Sequence, residues 1–371
     1  MDADLTPDEW RRYSRQTLLP DFGEAGQRRL KQGRVLIVGA GGLGSPAALY
    51  LAAAGVGRLA LVDFDAVDET NLQRQILYTT PDIGRPKLAV AAARLQALNP
   101  YVAVDLHEEA FGEQNAERLV RSADVVIDGS DNFPTRYLVN DACVLTRTPN
   151  VYGSVFRFEG QASVFATVGG PCYRCLHPEP PPAGLIPNCA EAGVLGVLPG
   201  VIGTIQATEA IKLLTGTGEP MIGRLLLYDA LRGRMREITL ARDPGCPVCG
   251  DTPTIRTLEA YDRICDSSVT GTNMTVDELK QWRANGTPHF LVDVREPSEH
   301  AQSHIDGALL IPLGTLQDNL DKLPADQPVV VHCKSGGRSA RAVAMLKAEG
   351  FDAHNLVGGI LAWTSSTEQG G

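Results

Sequence analysis

The chain has 371 residues, 43% of them hydrophobic, 21% charged and 6% aromatic, with a formal net charge of −10. At about 100 to 200 residues per domain this length predicts two or three domains, each burying its own core, and excludes disorder throughout. An acidic chain without a basic run argues against nucleic acid as the main partner, because phosphate binding needs clustered Lys and Arg. The N-terminus, MDADLTPDEWRRYSRQ, has no apolar signal core, and the longest apolar stretches fall short of a membrane span, so a soluble, cytoplasmic protein is expected.

From residue 34 to about 130, short β-branched runs alternate with Ala/Leu-rich stretches, the pattern of βαβ units in a parallel sheet. RVLIV, RLALVD, VAVDL and DVVIDGS are the predicted strands; SPAALYLAAAG and PKLAVAAARLQALNP are the predicted helices, the second opening after Pro86. Beyond residue 150, VYGSVFRFEGQASVFATV predicts antiparallel strands, followed by a Pro-rich loop, HPEPPPAGLIP, and a helix near VIGTIQATEAIKLLTG. After GCPVCGD the composition turns polar and breaker-rich, which predicts a linker over 251–272. A smaller α/β unit then starts: MTVDELKQWRANG, SARAVAMLKAEG and GGILAWTSS predict helices, and HFLVDVR and QPVVVHCK buried strands. The expected organisation is one large α/β domain over 1–250 and a second over 273–371.

Gly39, Gly41, Gly42 and Gly44 follow a strand and open a helix, so a phosphate can approach the backbone at the helix N-terminus. Asp63 ends the next strand about 20 residues on, where a carboxylate accepts ribose hydroxyls. That pair alone fits a nicotinamide dehydrogenase. The residues that follow fit a different chemistry: Asp65, Asp68, Thr70, Asn71, Arg74, Lys87, Asp131 and Asn132 crowd charge beside the phosphate loop. Cations with a carboxylate able to hold Mg²⁺ suit attack on an α-phosphate with pyrophosphate leaving.

Eight cysteines are too few for a disulfide scaffold. Cys172/Cys175 and Cys246/Cys249 form two C-x-x-C pairs too far apart for a finger, so they would meet through the fold as a closed, structural Zn²⁺ site. Two redox pairs are the alternative. Cys333 opens the loop HCKSGGRS between a strand and a helix, where backbone N–H groups, the helix N-terminus and Arg338 would stabilise a thiolate. Only residues 334 to 337 separate Cys333 from Arg338, a tighter ring than a Cys phosphatase uses and one suited to a sulfane sulfur.

RYSRQ (12–16), GAGGLGS (39–45), LVDFD (61–65), NLQRQ (71–75), GRPK (84–87), DGSDNF (128–133) and both C-x-x-C pairs resemble, in order and spacing, the ubiquitin-activating-type adenylyltransferases that act on molybdopterin-synthase and thiamine sulfur carriers. Residues 274–366, with LVDVREPSEHAQSHIDGALLIP, the Cys333 loop, Gly358-Gly359 and Trp363, resemble a single-domain rhodanese. The resemblance implies a Rossmann-like adenylating domain with a mixed sheet and a structural zinc site, fused to a smaller α/β rhodanese domain. It implies ATP bound by Gly41, Gly42, Asp63, Thr70, Asn71, Arg74, Lys87, Asp131 and Asn132. Arg74, Lys87 and Asp131 would serve catalysis, Asp131 with Mg²⁺, and Arg15 would reach the ATP of a partner subunit in a homodimer.

It further implies Cys333 as persulfide carrier, with Arg338 beside it. Cys189, in PNCAEAGVLG, resembles the cysteine that related enzymes link to the carrier, while a buried structural role is equally open. The implied reaction is adenylation of the C-terminal Gly-Gly of a small ubiquitin-like sulfur carrier, followed by sulfur transfer to give a thiocarboxylate. The persulfide donor would be a cysteine desulfurase or thiosulfate. Two other readings stand beside it: a nicotinamide-dependent oxidoreductase with a sulfur-handling appendage, and a non-catalytic scaffold that docks the carrier.

Overall fold

The computed structural model describes residues 4–180, 193–258, 273–334 and 336–368. Their contacts separate into two compact units, residues 4–180 with 193–258, and the described residues from 273 on.

The first unit is built on eight strands: β1 (Arg34–Val38), β2 (Arg58–Val62), β3 (Ala103–His107), β4 (Val125–Asp128), β5 (Asn150–Phe156), β6 (Glu159–Phe165), β7 (Arg224–Asp229) and β8 (Arg234–Thr239). Their order is β3-β2-β1-β4-β5-β6-β7-β8, parallel from β3 to β5 and antiparallel from β5 to β8. The sheet is mixed, as expected. Helices cover both faces of its parallel half, which is why β1 reads as an unbroken apolar run. Val35 and Ile37 pack with Ala47, Ala48 and Leu51 of the helix Gly44–Ala54, while Leu36 and Val38 pack with Leu119, Val120 and Tyr137 on the other side. Each such fully buried aliphatic side chain contributes about 1.5–3 kcal/mol.

The strand order leaves β1 toward β2 on one side and toward β4 on the other. This switch point opens a crevice at the carboxyl ends of β1 and β4, where doubly wound sheets bind ligands. Gln206, on the buried helix Leu198–Thr215, ties β4 to β5 by donating Nε2–H to the Asp128 and Val151 carbonyls at 2.8 and 2.9 Å. Gly203 lets that helix approach, since a Cβ there would lie 2.5 Å from the Leu43 carbonyl oxygen.

The second unit is a five-stranded parallel sheet: β9 (Asn273–Met274), β10 (Phe290–Asp293), β11 (Leu309–Leu310), β12 (Val329–His332) and β13 (Ala353–Leu356), in the order β11-β10-β12-β13-β9. The predicted helices appear as Val276–Ala284, Gly337–Ala348 and Gly359–Glu368. Elements the sequence reading lacked are the N-terminal helices Pro7–Arg12, Ser14–Thr17 and Gly23–Gln32, the helices Ala116–Arg121, Phe133–Thr146, Tyr173–Leu176 and Pro297–Gln302, strands β7 and β8, and the short β9, β11 and β13. Every residue of β8 is exposed, so no alternation marks it, and β9 and β11 are two residues each.

His332 ends β12 wholly buried, opposite Asp293, with Nε2 3.8 Å from the Asp293 carboxylate. Burial pulls its pKa down from 6.5 to about 4. As pH falls below 6.5 the unfolded chain takes up this proton before the folded chain does, so the second unit loses stability from pH 6.5 down to 4, by up to about 3 kcal/mol. Trp282 and Trp363 lie in this unit and Trp10 in the other, so in a Trp10→Phe background fluorescence-monitored urea unfolding reads it alone. We expect the midpoint to fall across that window, and His332→Gln to flatten the slope.

Candidate active sites

The glycine loop sits at the switch point. After β1 the chain turns through Gly39, at φ +90°, and a Cβ at Gly44 would lie 1.9 Å from the Gly39 carbonyl oxygen. The absolute steric need for glycine therefore falls on Gly39 and Gly44. Gly41 and Gly42 are half-buried; a Cβ on Gly41 would meet only Gln75 Nε2 at 3.6 Å, which leaves that backbone open for a ligand, whereas one on Gly42 would crowd Pro199 Cβ at 3.1 Å.

Asp63, just past β2, is fixed against this loop: one carboxylate oxygen accepts the Ala40 N–H at 2.8 Å and the other the Asp65 N–H at 2.9 Å. Tyr78 closes the loop from below, donating its hydroxyl to the Ala40 carbonyl at 2.8 Å; burial pushes that phenol far above its usual pKa. Lys87 opens the helix Lys87–Leu98 and is only 4% exposed. Its Nζ lies 2.7 Å from the Asp65 carboxylate and its backbone N–H donates to the Asp65 carbonyl at 2.9 Å. Asp65 stood in the charged cluster read from sequence without a role of its own; the doublet spacing in LVDFD is the signal for one, since the first carboxylate faces the loop and the second holds the lysine.

Thr70 and Asn71 lie in the single turn Glu69–Asn71, whose N-cap Asp68 accepts the Thr70 N–H at 2.8 Å. Arg74 donates to the Thr70 carbonyl at 3.0 Å, and its Cγ would be 3.5 Å from a Cβ on Gly42. Asp131 and Asn132 follow β4, both exposed, and Asn132 caps the helix Phe133–Thr146 by accepting the Thr135 N–H at 2.9 Å. Loop, turn and β4 end thus converge on one crevice. Arg15 is exposed on the helix Ser14–Thr17, and among the described residues no hydrogen bond or ion pair joins it to that crevice.

Behind the crevice Asp128 is completely buried, accepts the Ser130 N–H and hydroxyl, and has its carboxyl pushed up by burial. Arg136 lies 5.4 and 5.9 Å from the Tyr152 and Tyr173 ring centroids and donates to the Ser130 carbonyl. Cys143 is fully buried and burial raises its thiol pKa, so it is a packing residue.

Cys172, Cys175, Cys246 and Cys249 come together with all four Sγ atoms within 4.8 Å of one another. The Cys172–Cys246 and Cys175–Cys249 sulfur separations are 3.6 and 3.4 Å. A tetrahedral ZnS₄ centre, with Zn–S near 2.3 Å, requires sulfurs about 3.8 Å apart, so the donor set fits zinc after a small expansion. The Asp243 N–H points at Cys175 Sγ from 3.4 Å, and Arg242 donates to the Cys249 carbonyl at 2.7 and 3.0 Å. Backbone N–H and guanidinium groups around a thiolate cluster offset its negative charge.

In the second unit Cys333, 1% exposed, follows β12, and its Sγ accepts from the Gly336 N–H at 3.2 Å and the Ser339 hydroxyl at 3.4 Å. A Cβ at Gly359 would lie 2.3 Å from the Cys333 carbonyl oxygen, which takes the Ile360 N–H instead. The Arg338 guanidinium makes a two-pronged pair with Glu299, at 2.6 and 2.7 Å. Glu299 and the network behind it were missed from sequence, although REPSEH supplies them. Cys189 lies outside the described residues.

The ThiF family model matches residues 13–248 and the rhodanese-like domain model residues 275–366. The chain is 48% identical to the probable adenylyltransferase/sulfurtransferase MoeZ of Mycobacterium tuberculosis, over 98% of this chain and 95% of that protein. It is 54% identical to the sulfur carrier protein adenylyltransferase of Thermus thermophilus, over 70% of this chain and 98% of that one. Identity to the adenylyltransferase and sulfurtransferase MOCS3 of Sus scrofa is 44%, over 99% and 88%. Among solved structures, Escherichia coli MccB with succinimide shares the fold, with a TM-score of 0.58 and 22% identity over 67% of this chain and 75% of that one.

Zinc analysis of the purified protein should return about one ion per chain, and Cys246→Ser should lose it to a chelator at least tenfold faster. Zinc content near zero in correctly folded protein would contradict the site.

Proposed function

Because the chain belongs to the ThiF family and carries a rhodanese-like domain behind that part, we propose that it activates and then sulfurates the C-terminus of a small ubiquitin-like carrier protein ending in Gly-Gly. Residues 1–250 carry out adenylation and residues 273–371 carry the sulfur. The observation that bears most weight is the buried Lys87, linked through Asp65 and Asp63 to the Ala40 N–H of the glycine loop. A fixed cation at that place serves phosphate charge developing in a transition state, for which hydride transfer has no use.

Asp63 accepts the ribose hydroxyls of ATP, and the backbone of Gly41 and Gly42 with the helix N-terminus receives the phosphates. The carrier carboxylate attacks the α-phosphorus and pyrophosphate leaves, its charge met by Arg74 and Lys87, with Thr70, Asn71 and Asn132 placed to hydrogen-bond the nucleotide. Asp131, exposed at the end of β4, is the carboxylate to hold Mg²⁺, which neutralises the leaving pyrophosphate. The Cys333 persulfide then attacks the acyl carbon and AMP leaves, forming an acyl disulfide. A thiol, for which Cys189 is the candidate, attacks the Cys333 sulfur and releases the thiocarboxylate.

Arg15 points from an exposed helix and serves the neighbouring subunit of a homodimer. Zinc at the four cysteines is structural. The persulfide comes from a cysteine desulfurase or thiosulfate, and a cytoplasmic enzyme is the reading that suits thiol chemistry of this kind. No described helix is long and apolar enough to cross a membrane.

Carrier-dependent exchange of pyrophosphate into ATP tests the adenylation step. Lys87→Ala and Asp131→Asn should each lower it about 100-fold; exchange indifferent to both substitutions would remove the basis for the reading.

A further inference from the structure

Glu299 stands between the persulfide loop and the choice of sulfur donor. Arg338 is the second residue of the helix Gly337–Ala348, whose preceding Gly336 N–H points at Cys333 Sγ, so its charge lies at the mouth of the cysteine loop. Both terminal nitrogens of that guanidinium are held by the two Glu299 oxygens, with the paired side chains 14% and 29% exposed. The pair is shielded from water and bidentate, so it persists better than an exposed ion pair.

Glu299 is itself held in place. Arg295, buried against Asp293, donates to the Glu299 carbonyl at 3.4 Å and to the Ser303 carbonyl at 2.7 Å, so it grips both ends of the segment carrying Glu299. His300, the next residue, bonds Asp293 at 2.9 Å. The hydrogen bonds from Arg338 keep the Glu299 carboxyl below its ordinary pKa, so it stays ionised near neutrality. Cys333 itself packs among Val292, Val331, Val343 and other apolar side chains.

We propose that Glu299 is a specificity-determining residue for sulfur loading: by cancelling the Arg338 charge it disfavours dianionic donors such as thiosulfate and leaves Cys333 to take sulfur from thiol-borne hydropersulfides. The inference rests on the sulfur-carrying role of Cys333. With thiosulfate, the Cys333 thiolate forms a bond to the outer sulfur, the S–S bond to the sulfonate breaks, and its electron pair leaves on sulfite. That donor brings two negative charges in and sends two out, so it needs an uncompensated cation. With a hydropersulfide, the thiolate attacks the terminal sulfur, the organic thiolate leaves with the bonding pair, and the proton stays on the transferred sulfur. No second anion has to be held, and the apolar side chains packed around Cys333 suffice.

The test uses the full chain, loading Cys333 with thiosulfate or with the hydropersulfide of mercaptoethanol and reading sulfur transfer to cyanide. Removing one negative charge near a bound dianion should lower the thiosulfate KM of Glu299→Gln by roughly three- to tenfold. We expect kcat to be little changed, hydropersulfide kinetics to be unmoved, and Glu299→Asp to behave as the parent. A thiosulfate KM that is unchanged or raised in Glu299→Gln, or equal losses with both donors, overturns this inference alone. A parent protein whose Cys333 takes sulfur from neither donor overturns the sulfur-carrying role, and this inference with it.

Discussion

The first unit depends on the return of one helix onto one strand end. The Cα of Gly44 lies so close to the Gly39 carbonyl that no side chain fits between them. That approach brings the N-terminus of the helix Gly44–Ala54 over β1, beside the Asp63 carboxylate at the end of β2. Because β4 leaves β1 on the other side, Asp131 and Asn132 arrive at the same crevice without a long loop. The glycine loop, the Asp63 carboxylate and the residues after β4 thus meet through strand order plus two glycines.

The second unit repeats the device with different chemistry. Again a parallel strand, β12, ends in a tight loop before a helix, and again backbone N–H groups face the ligand position. Here the position is filled by the protein's own sulfur, with Gly336 N–H and the Ser339 hydroxyl on Cys333 Sγ. The first loop leaves backbone open at Gly41, while the second encloses a sulfur that is part of the chain. In both units the cation beside the loop is paired with a carboxylate, Lys87 with Asp65 and Arg338 with Glu299.

Much of this was legible in sequence where a local rule governs. β1, β2 and the Ala-rich helices follow from apolar runs punctuated by glycine, and the C-x-x-C pairs from ligand spacing. What escaped was set by tertiary neighbours. β8 is an exposed edge strand whose residues alternate nothing, so only its partner β7 makes it a strand. Asp65 and Glu299 look like surface carboxylates until the fold sets a buried lysine and an arginine against them. The meeting of Cys172/Cys175 with Cys246/Cys249 was inferred from chemistry, because spacing alone does not say that distant pairs converge.

The central claim is that one chain both activates a carrier carboxylate and delivers sulfur to it from Cys333. The most direct measurement is the intact mass of a candidate carrier after incubation with the protein, ATP, Mg²⁺ and a sulfur donor, comparing the parent with Cys333→Ala. The account predicts replacement of one carrier oxygen by sulfur, with AMP release, in the parent only, together with carrier-dependent exchange of pyrophosphate into ATP in both. A thiocarboxylate formed equally well without Cys333, or formed without ATP, would contradict it.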